Sequence, residues 1–320
     1  MKKIVRLSAI ALLAFAAISM TGCDLFGAVI ASVSGKAVNA QAAGDATDFY
    51  KNDSITLVGA SITLTNQSAD GEDAAGTVSS DGTFSILDVE PGRYILSGSR
   101  SGWTFVPRLV DITGFMTTLP TVIAYPTPTN LDQILVLVEW DNVDYDVDSY
   151  MVRDDDAYAD TPDEGSEIVA GYNISGSYYT DPSTKILLDR DVTNSSAAAI
   201  PRVETISISN PANAITTEYL RYYIRLFNQS AGSLTGNTTT SLDPAGATVF
   251  VMQGTDHYGT YPIAYNSAEQ VLGVVAMRWN VDDSSWDIGS FGGAWLNGDG
   301  AETTGIKSIG FAPVVVDSIQ

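Results

Sequence analysis

Four aspartates crowd into the segment from Trp140 to Tyr150: Asp141, Asp144, Asp146 and Asp148. They come directly after the apolar run Ile134–Val138. On a β-strand, residues two apart share a face, which would set Asp144, Asp146 and Asp148 in a row at ~7 Å intervals. Tyr145, Val147, Ser149 and Met151 would then line the other face. Three like charges in a row suit a hard cation with oxygen ligands. Asp144, Asp146, Asp148 and Asp155 also match the ligand spacing of a helix-flanked calcium loop. Ser149, however, stands where that loop needs glycine, and Asp155 is shorter than the bidentate glutamate. Strand periodicity surrounds the segment, so an EF-hand is excluded. Two readings stay open: a calcium site at a sandwich edge, completed by Asp189 or Asp191, and aspartates that are solvated or paired with Arg190 or Arg153.

Other chemistry is sparse. The one histidine, His257, sits in the turn-rich segment Gly254–Gly259, and no Gly-x-Ser-x-Gly elbow accompanies it. One histidine and one cysteine leave no ligand set for zinc. Acidity alone does not identify a carboxylate pair for glycoside hydrolysis. Trp279, Trp286 and Trp295 fall in or near the Gly/Asp-rich stretch 282–300. Trp279 reads as core. Trp286 and Trp295 are candidates to stack on a sugar, or else to fill the core in their turn. The chain is expected not to be an enzyme and to need no cofactor unless calcium.

These residues belong to a chain of 320 residues, enough for two domains of ordinary size. Its formal net charge is −22, from 16 basic and 38 acidic residues. Such a field repels nucleic acid, and no glycine-rich phosphate loop or basic aromatic patch opposes that reading. Nucleic acid is therefore excluded as a partner.

The N-terminus carries an address. Lys2, Lys3 and Arg6 precede the twelve-residue apolar run Leu7–Ile18, too short to span a bilayer and suited to a secretory signal. The only cysteine, Cys23, ends Ser19-Met-Thr-Gly-Cys23. This segment resembles a bacterial lipobox, with Met20 in place of the usual leucine. The resemblance implies a signal peptide over residues 1–22 and lipid on Cys23, with residues 23–30 as a tether. Two or more acyl chains hold a protein stably where one does not. The expected location is the bacterial cell envelope, anchored to the membrane through that lipid.

From Val33 the chain reads as short strands: Val33–Val38, Ile55–Val58, Ser61–Thr65, Thr77–Ser79, Thr83–Ile86, Tyr94–Ser97 and Trp103–Val106. Asp81-Gly82 signals a two-residue hairpin, and Pro91-Gly92 a type II turn. Val33-Ser-Gly-Lys-Ala, Val58-Gly-Ala-Ser-Ile-Thr-Leu, Ser80-Asp-Gly-Thr-Phe-Ser-Ile, Val89-Glu-Pro-Gly-Arg-Tyr-Ile-Leu and Ser101-Gly-Trp-Thr-Phe-Val-Pro107 occur in that order. Together they resemble the carboxypeptidase regulatory-like domain over residues 31–125. The resemblance implies a transthyretin-like seven-stranded sandwich in the starch-binding-like fold group, more often a spacer than a ligand binder.

Tyr125-Pro-Thr-Pro-Thr-Asn130 reads as a linker, because alternating prolines hold the chain extended. A second domain is expected over residues 131–320, with strands at Gln133–Trp140, Asp146–Val152, Lys185–Asp189, Glu204–Ser209, Tyr219–Phe227, Ala247–Met252, Gln270–Asn280 and Ile306–Val315. Trp140 with the aspartate row, Leu188-Asp-Arg-Asp191, Val203–Ser207, Tyr219–Phe227 and Trp279-Asn-Val281 resemble a YfaP-like extracytoplasmic module over residues 134–290. That implies a sandwich and an envelope location, and nothing about catalysis. The expectation is an all-β chain: two immunoglobulin-like or transthyretin-like sandwiches in tandem after a lipoprotein signal peptide. Its role is that of a non-enzymatic envelope protein presenting binding or structural modules. The alternatives are a carbohydrate-binding module and a calcium-stabilised adhesion domain, with a glycan or another envelope protein as partner.

Overall fold

The computed structural model describes residues 30–41, 57–114, 116–141, 147–154, 167–169, 186–190, 192, 202–209, 219–226, 246–263, 271–280, 282, 284–290 and 295–296. Every helix or strand assigned among them is a β-strand, as the sequence leads one to expect.

The first half forms β1 (Ala31–Asn39), β2 (Ser61–Asn66), β3 (Ala74–Thr77), β4 (Thr83–Val89), β5 (Gly92–Ser99), β6 (Trp103–Phe105), β7 (Arg108–Ile112), β8 (Met116–Thr118) and β9 (Val122–Pro126). One sheet runs β4-β1-β9-β6 with β8 beside β1, and the other runs β3-β2-β5-β7. Alternation places Val33 and Ala37 of β1, Ile62 and Leu64 of β2, and Phe84 and Ile86 of β4 in one core between these sheets.

Several local expectations need correction. Leu57 and Gly59 have positive φ and belong to a turn, so no strand extends to Val58. Asp81-Gly82 does form a turn, with Gly82 at φ 76° and its amide bonded to Ser79 O. The strands it joins do not pair: β3 hydrogen-bonds β2, and β4 hydrogen-bonds β1. The turn carries the chain from one sheet to the other. Pro91-Gly92 is not a type II turn, because such a turn needs positive φ at Gly92, which instead opens β5. The Tyr94 hydroxyl ties this crossover by donating to Glu90 O at 2.8 Å. Strands β7, β8 and β9 were not legible as strands beforehand.

The second half forms β10 (Ile134–Trp140), β11 (Val147–Asp154), β12 (Glu167–Val169), β13 (Ile186–Arg190), β14 (Val203–Ile208), β15 (Tyr219–Leu226), β16 (Ala247–Gln253), β17 (Asp256–Pro262), β18 (Val271–Asn280), β19 (Ser285–Ser290) and β20 (Trp295–Leu296). One sheet is ordered β13-β14-β10-β16-β17; the other is β12-β11-β15-β18-β19, with β20 on β18. Their shared core holds Val136, Trp140, Met151, Ile206, Tyr222, Val249 and Trp279. The expected strand Ile306–Val315 lies outside the described residues.

A third core joins the halves. Val38, Ala40, Val106, Ile123 and Tyr125 of the first half pack against Leu135, Leu137, Val203, Phe250 and Met252 of the second. Strand β9 therefore buries Val122 and Ala124 on one side and Ile123 and Tyr125 on the other. Strand β10 does the same, with Val136 and Val138 in the second core and Leu135 and Leu137 in the shared one. Burial on both faces is why Ile134–Val138 reads as an unbroken apolar run rather than an alternating one. Four sheets are stacked, with three apolar cores between them.

The Pro/Thr segment between the halves is anchored at both ends. Pro126 closes β9 opposite Trp103, and Thr127 N donates to Gly102 O at 2.9 Å. Asn130 Nδ2 donates to Ser209 O at 3.2 Å in the second half. Gly254, at φ 56°, turns from β16 into β17 and is held from both sides: its amide donates to Gln133 O, and its carbonyl accepts from the Tyr125 hydroxyl at 2.8 Å.

Candidate functional site

The aspartate row does not assemble into a metal site among the described residues. Asp144, Asp146, Asp155 and Asp191 lie outside them. Val147 and Met151 point into the core of the second half, so Asp148 faces outward from β11. It is nonetheless buried, at 3% exposure, and accepts from the Tyr150 hydroxyl at 3.2 Å. Asp148 is therefore not a solvated carboxylate. In the backbone register of the β11–β15 pair, Asp148 stands opposite Arg225.

Asp189 lies on the other sheet. Ile186 and Leu188 of β13 face the core, and the Asp189 carboxylate turns toward the first half, where Gln41 Nε2 donates to it at 2.9 Å. Burial raises the Asp189 pKa against the opposing hydrogen bonds from Gln41 and Ser207. Asp148 and Asp189 thus occupy opposite outer faces of the second sheet pair. A calcium site joining them is ruled out by that placement. No group of three or more His, Cys, Asp or Glu side chains among the described residues is placed to hold a metal.

Trp286 is a core residue, not a ligand platform. It is 6% exposed, meets Trp279 edge to face at 5.7 Å between ring centroids, and donates its indole N–H to Asp132 O at 2.8 Å. Its ring face is spent on packing, and its polar atom is taken by the backbone. Trp295 lies on β20, where its backbone pairs with Leu272. His257 lies on a strand rather than in a loop, and its Nε2 is 2.9 Å from Thr260 Oγ1. Burial lowers its pKa, which favours the neutral ring. Cys23 lies outside the described residues.

Sequence reasoning missed an open cleft of about 450 Å³ on the first half. It forms where β8 gives way to β9 along one edge of β1. Ser34 and Lys36 of β1 share the face opposite Val33 and Ala37. Register places Ser85 and Thr118 on either side of Ser34, and Thr83 beside Lys36. Thr121 and Ser79 add further hydroxyls, and Gly35, Phe84 and Leu119 supply the apolar remainder of the lining. Lys36 has its pKa lowered, first by burial and then by the positive charge of Arg202, with Asp81 opposing. Arg202 comes from the second half, where its guanidinium donates to the Trp140 and Asp141 carbonyls. The cleft therefore adjoins the junction of the two halves.

Among the described residues, that lining has no carboxylate and no imidazole. It offers hydroxyl donors and acceptors and one ammonium group. Such a surface can bind a polar ligand through several hydrogen bonds. Polar residues on strand faces give no signal in sequence, because Ser and Thr at alternate positions look like any solvent-facing strand.

No protein-family model matches the chain, and no curated protein sequence matches it. Among solved structures, it is similar to a protein of unknown function, SAV2460, at 11% identity and TM-score 0.36, over 50% of this chain and 86% of that one. The major pilin SpaD of Corynebacterium diphtheriae shows 8% identity and TM-score 0.23, over 86% and 84% of the two chains. A DUF3823 family protein of Parabacteroides merdae shows 13% identity and TM-score 0.20, over 72% and 96%.

Proposed function

We propose that this chain is a non-enzymatic lipoprotein of the bacterial cell envelope whose stacked sheets hold a hydroxyl-lined cleft at a fixed position relative to the membrane. The observation that carries this reading is the third core. Ten apolar side chains shared between the inner sheets fuse two sandwiches into one body, which suits a scaffold more than a flexible tandem. The charged n-region, the apolar run and Cys23 supply the anchor. The resemblance of residues 31–125 to the carboxypeptidase regulatory-like domain supports a supporting, non-catalytic module. Labelling cells with palmitate should mark the wild type and not Cys23→Ala. Equal labelling of the two would sink the anchoring reading.

A second reading follows from the cleft itself. Its hydroxyls and Lys36 suit a saccharide, at a place apart from Trp286 and Trp295, which the sequence left open between sugar stacking and core. Screening against immobilised glycans, wild type beside Lys36→Ala and Thr83→Val, tests this. A bound glycan whose retention both variants leave untouched would place binding elsewhere.

A further inference from the structure

Three of the seven exposed large hydrophobic side chains among the described residues gather at one end of β1: Ile30, Leu87 and Met116. Met116 is 88% exposed and Leu87 66%. Register brings them together. Met116 of β8 lies beside Ser32, and on the other flank a bulge sets Leu87 and Asp88 of β4 opposite the same residue, between the pairs Ala31–Val89 and Val33–Ile86. The bulge breaks the alternation of β4, so Ile86 and Val89 are buried while Leu87 and Asp88 both turn outward. Strand spacing puts Leu87 and Met116 about 10 Å apart across Ser32. Ile30 is half exposed at the entrance to β1.

Isolated exposed apolar residues need no explanation. What makes this group informative is its place. Ile30 lies seven positions beyond Cys23, a reach of at most about 25 Å. The second half packs at the opposite end of β1, around Val38 and Ala40.

We propose that Ile30, Leu87 and Met116 form a foot that rests in the headgroup region of the bilayer and holds the stack at a set orientation to it; this rests on the reading that Cys23 is acylated. Asp88 and Glu90 are exposed beside the foot, and the chain carries a net charge of −22, so the surface it takes is zwitterionic rather than anionic lipid. The Arg93–Asp111 ion pair on the neighbouring sheet adds no net charge.

With Cys23 acylated, a cysteine introduced as Met116→Cys is the sole free thiol. Full-length lipidated protein labelled there with a polarity-sensitive fluorophore is reconstituted into phosphatidylcholine vesicles with and without nitroxide-bearing lipid. Leu187→Cys serves as reference: it is exposed, two residues from the Asp189 that meets Gln41, roughly 25 Å along β1 from Ser32. The expected result is quenching at 116 roughly twofold or more above that at 187, as for side chains seated in the headgroup region, and its reduction by Leu87→Asp. Equal quenching at the two sites, with palmitate present on Cys23, overturns the foot alone. Loss of palmitate from Cys23 overturns both foot and anchor. A blue shift at 116 that depends on protein concentration and not on lipid assigns the patch to a second copy and overturns the proposal as well.

Discussion

Arg108 at the start of β7 donates to the Glu139 carboxylate on β10 and stacks its guanidinium over the Phe250 ring, 4.9 Å from the centroid. Both side chains are largely buried, at 14% and 5% exposure. Arg108 also donates to Thr121 O at 3.1 Å, and Glu139 accepts from the Thr121 amide at 3.2 Å. One ion pair thus ties β7, the approach to β9, and two strands of the second half into a closed polar cluster beside the shared apolar core.

Breaking that pair from one side strands a buried charge. Arg108→Ala is expected to destabilise the protein by about 3–5 kcal/mol, read by denaturant unfolding. The double change Arg108→Met with Glu139→Leu removes both charges and is expected to recover most of that loss. A double variant no more stable than Arg108→Ala would show that the pair contributes more than charge compensation.

Gly254 has no room for a side chain. A β-carbon there would stand 2.5 Å from Leu131 O, at a φ of 56° that L residues rarely adopt. Gly254→Ala is expected to cost on the order of 1–3 kcal/mol, measured as a drop in the denaturation midpoint. An unchanged midpoint would contradict the tight seat of this hairpin against the linker.

Asp189 predicts a pH signature. Its folded-state pKa is raised by burial, so the folded state takes up a proton more readily than the unfolded one. Ionisation of Asp189 therefore lowers stability as pH rises through the interval from its ordinary value to its raised one. Asp189→Asn keeps an acceptor for Gln41 and removes that charge. The variant is expected to melt above wild type at neutral pH, with the difference closing below pH ~4. A variant that melts lower at every pH would count against a destabilising charge.

Trp286 is expected to matter for folding and not for binding. Trp286→Ala should cost about 3–5 kcal/mol, as for other buried tryptophans. Trp286→Phe keeps the contact with Trp279 but loses the bond to Asp132 O, and should cost less. If Trp286→Phe preserves stability yet abolishes retention on a glycan, the core assignment fails.

Much of the strand content was legible because alternation is local. Ser61–Asn66, Tyr219–Leu226 and Val271–Asn280 each announce a buried face through their spacing. Trp279 and Trp286 show the limit. Both are apolar and flanked by polar residues, and only the pairing of β18 with β19 sets one against the other inside the core. The Asp81-Gly82 turn shows it again: local chemistry specifies the reversal, but not whether the strands beyond it bond to each other.

The sequence by itself determined the strand class, since that depends on local period and residue type. Tertiary structure decided which sheet each strand joins, and that Tyr125–Asn130 crosses a packed interface. It separated Asp148 from Asp189, and it collected Ser34, Lys36, Thr83, Ser85 and Thr118 into one cleft. Those outcomes depend on which faces of β1, β9 and β10 find apolar partners more than a hundred residues away. Local periodicity carries no information about contacts at that range.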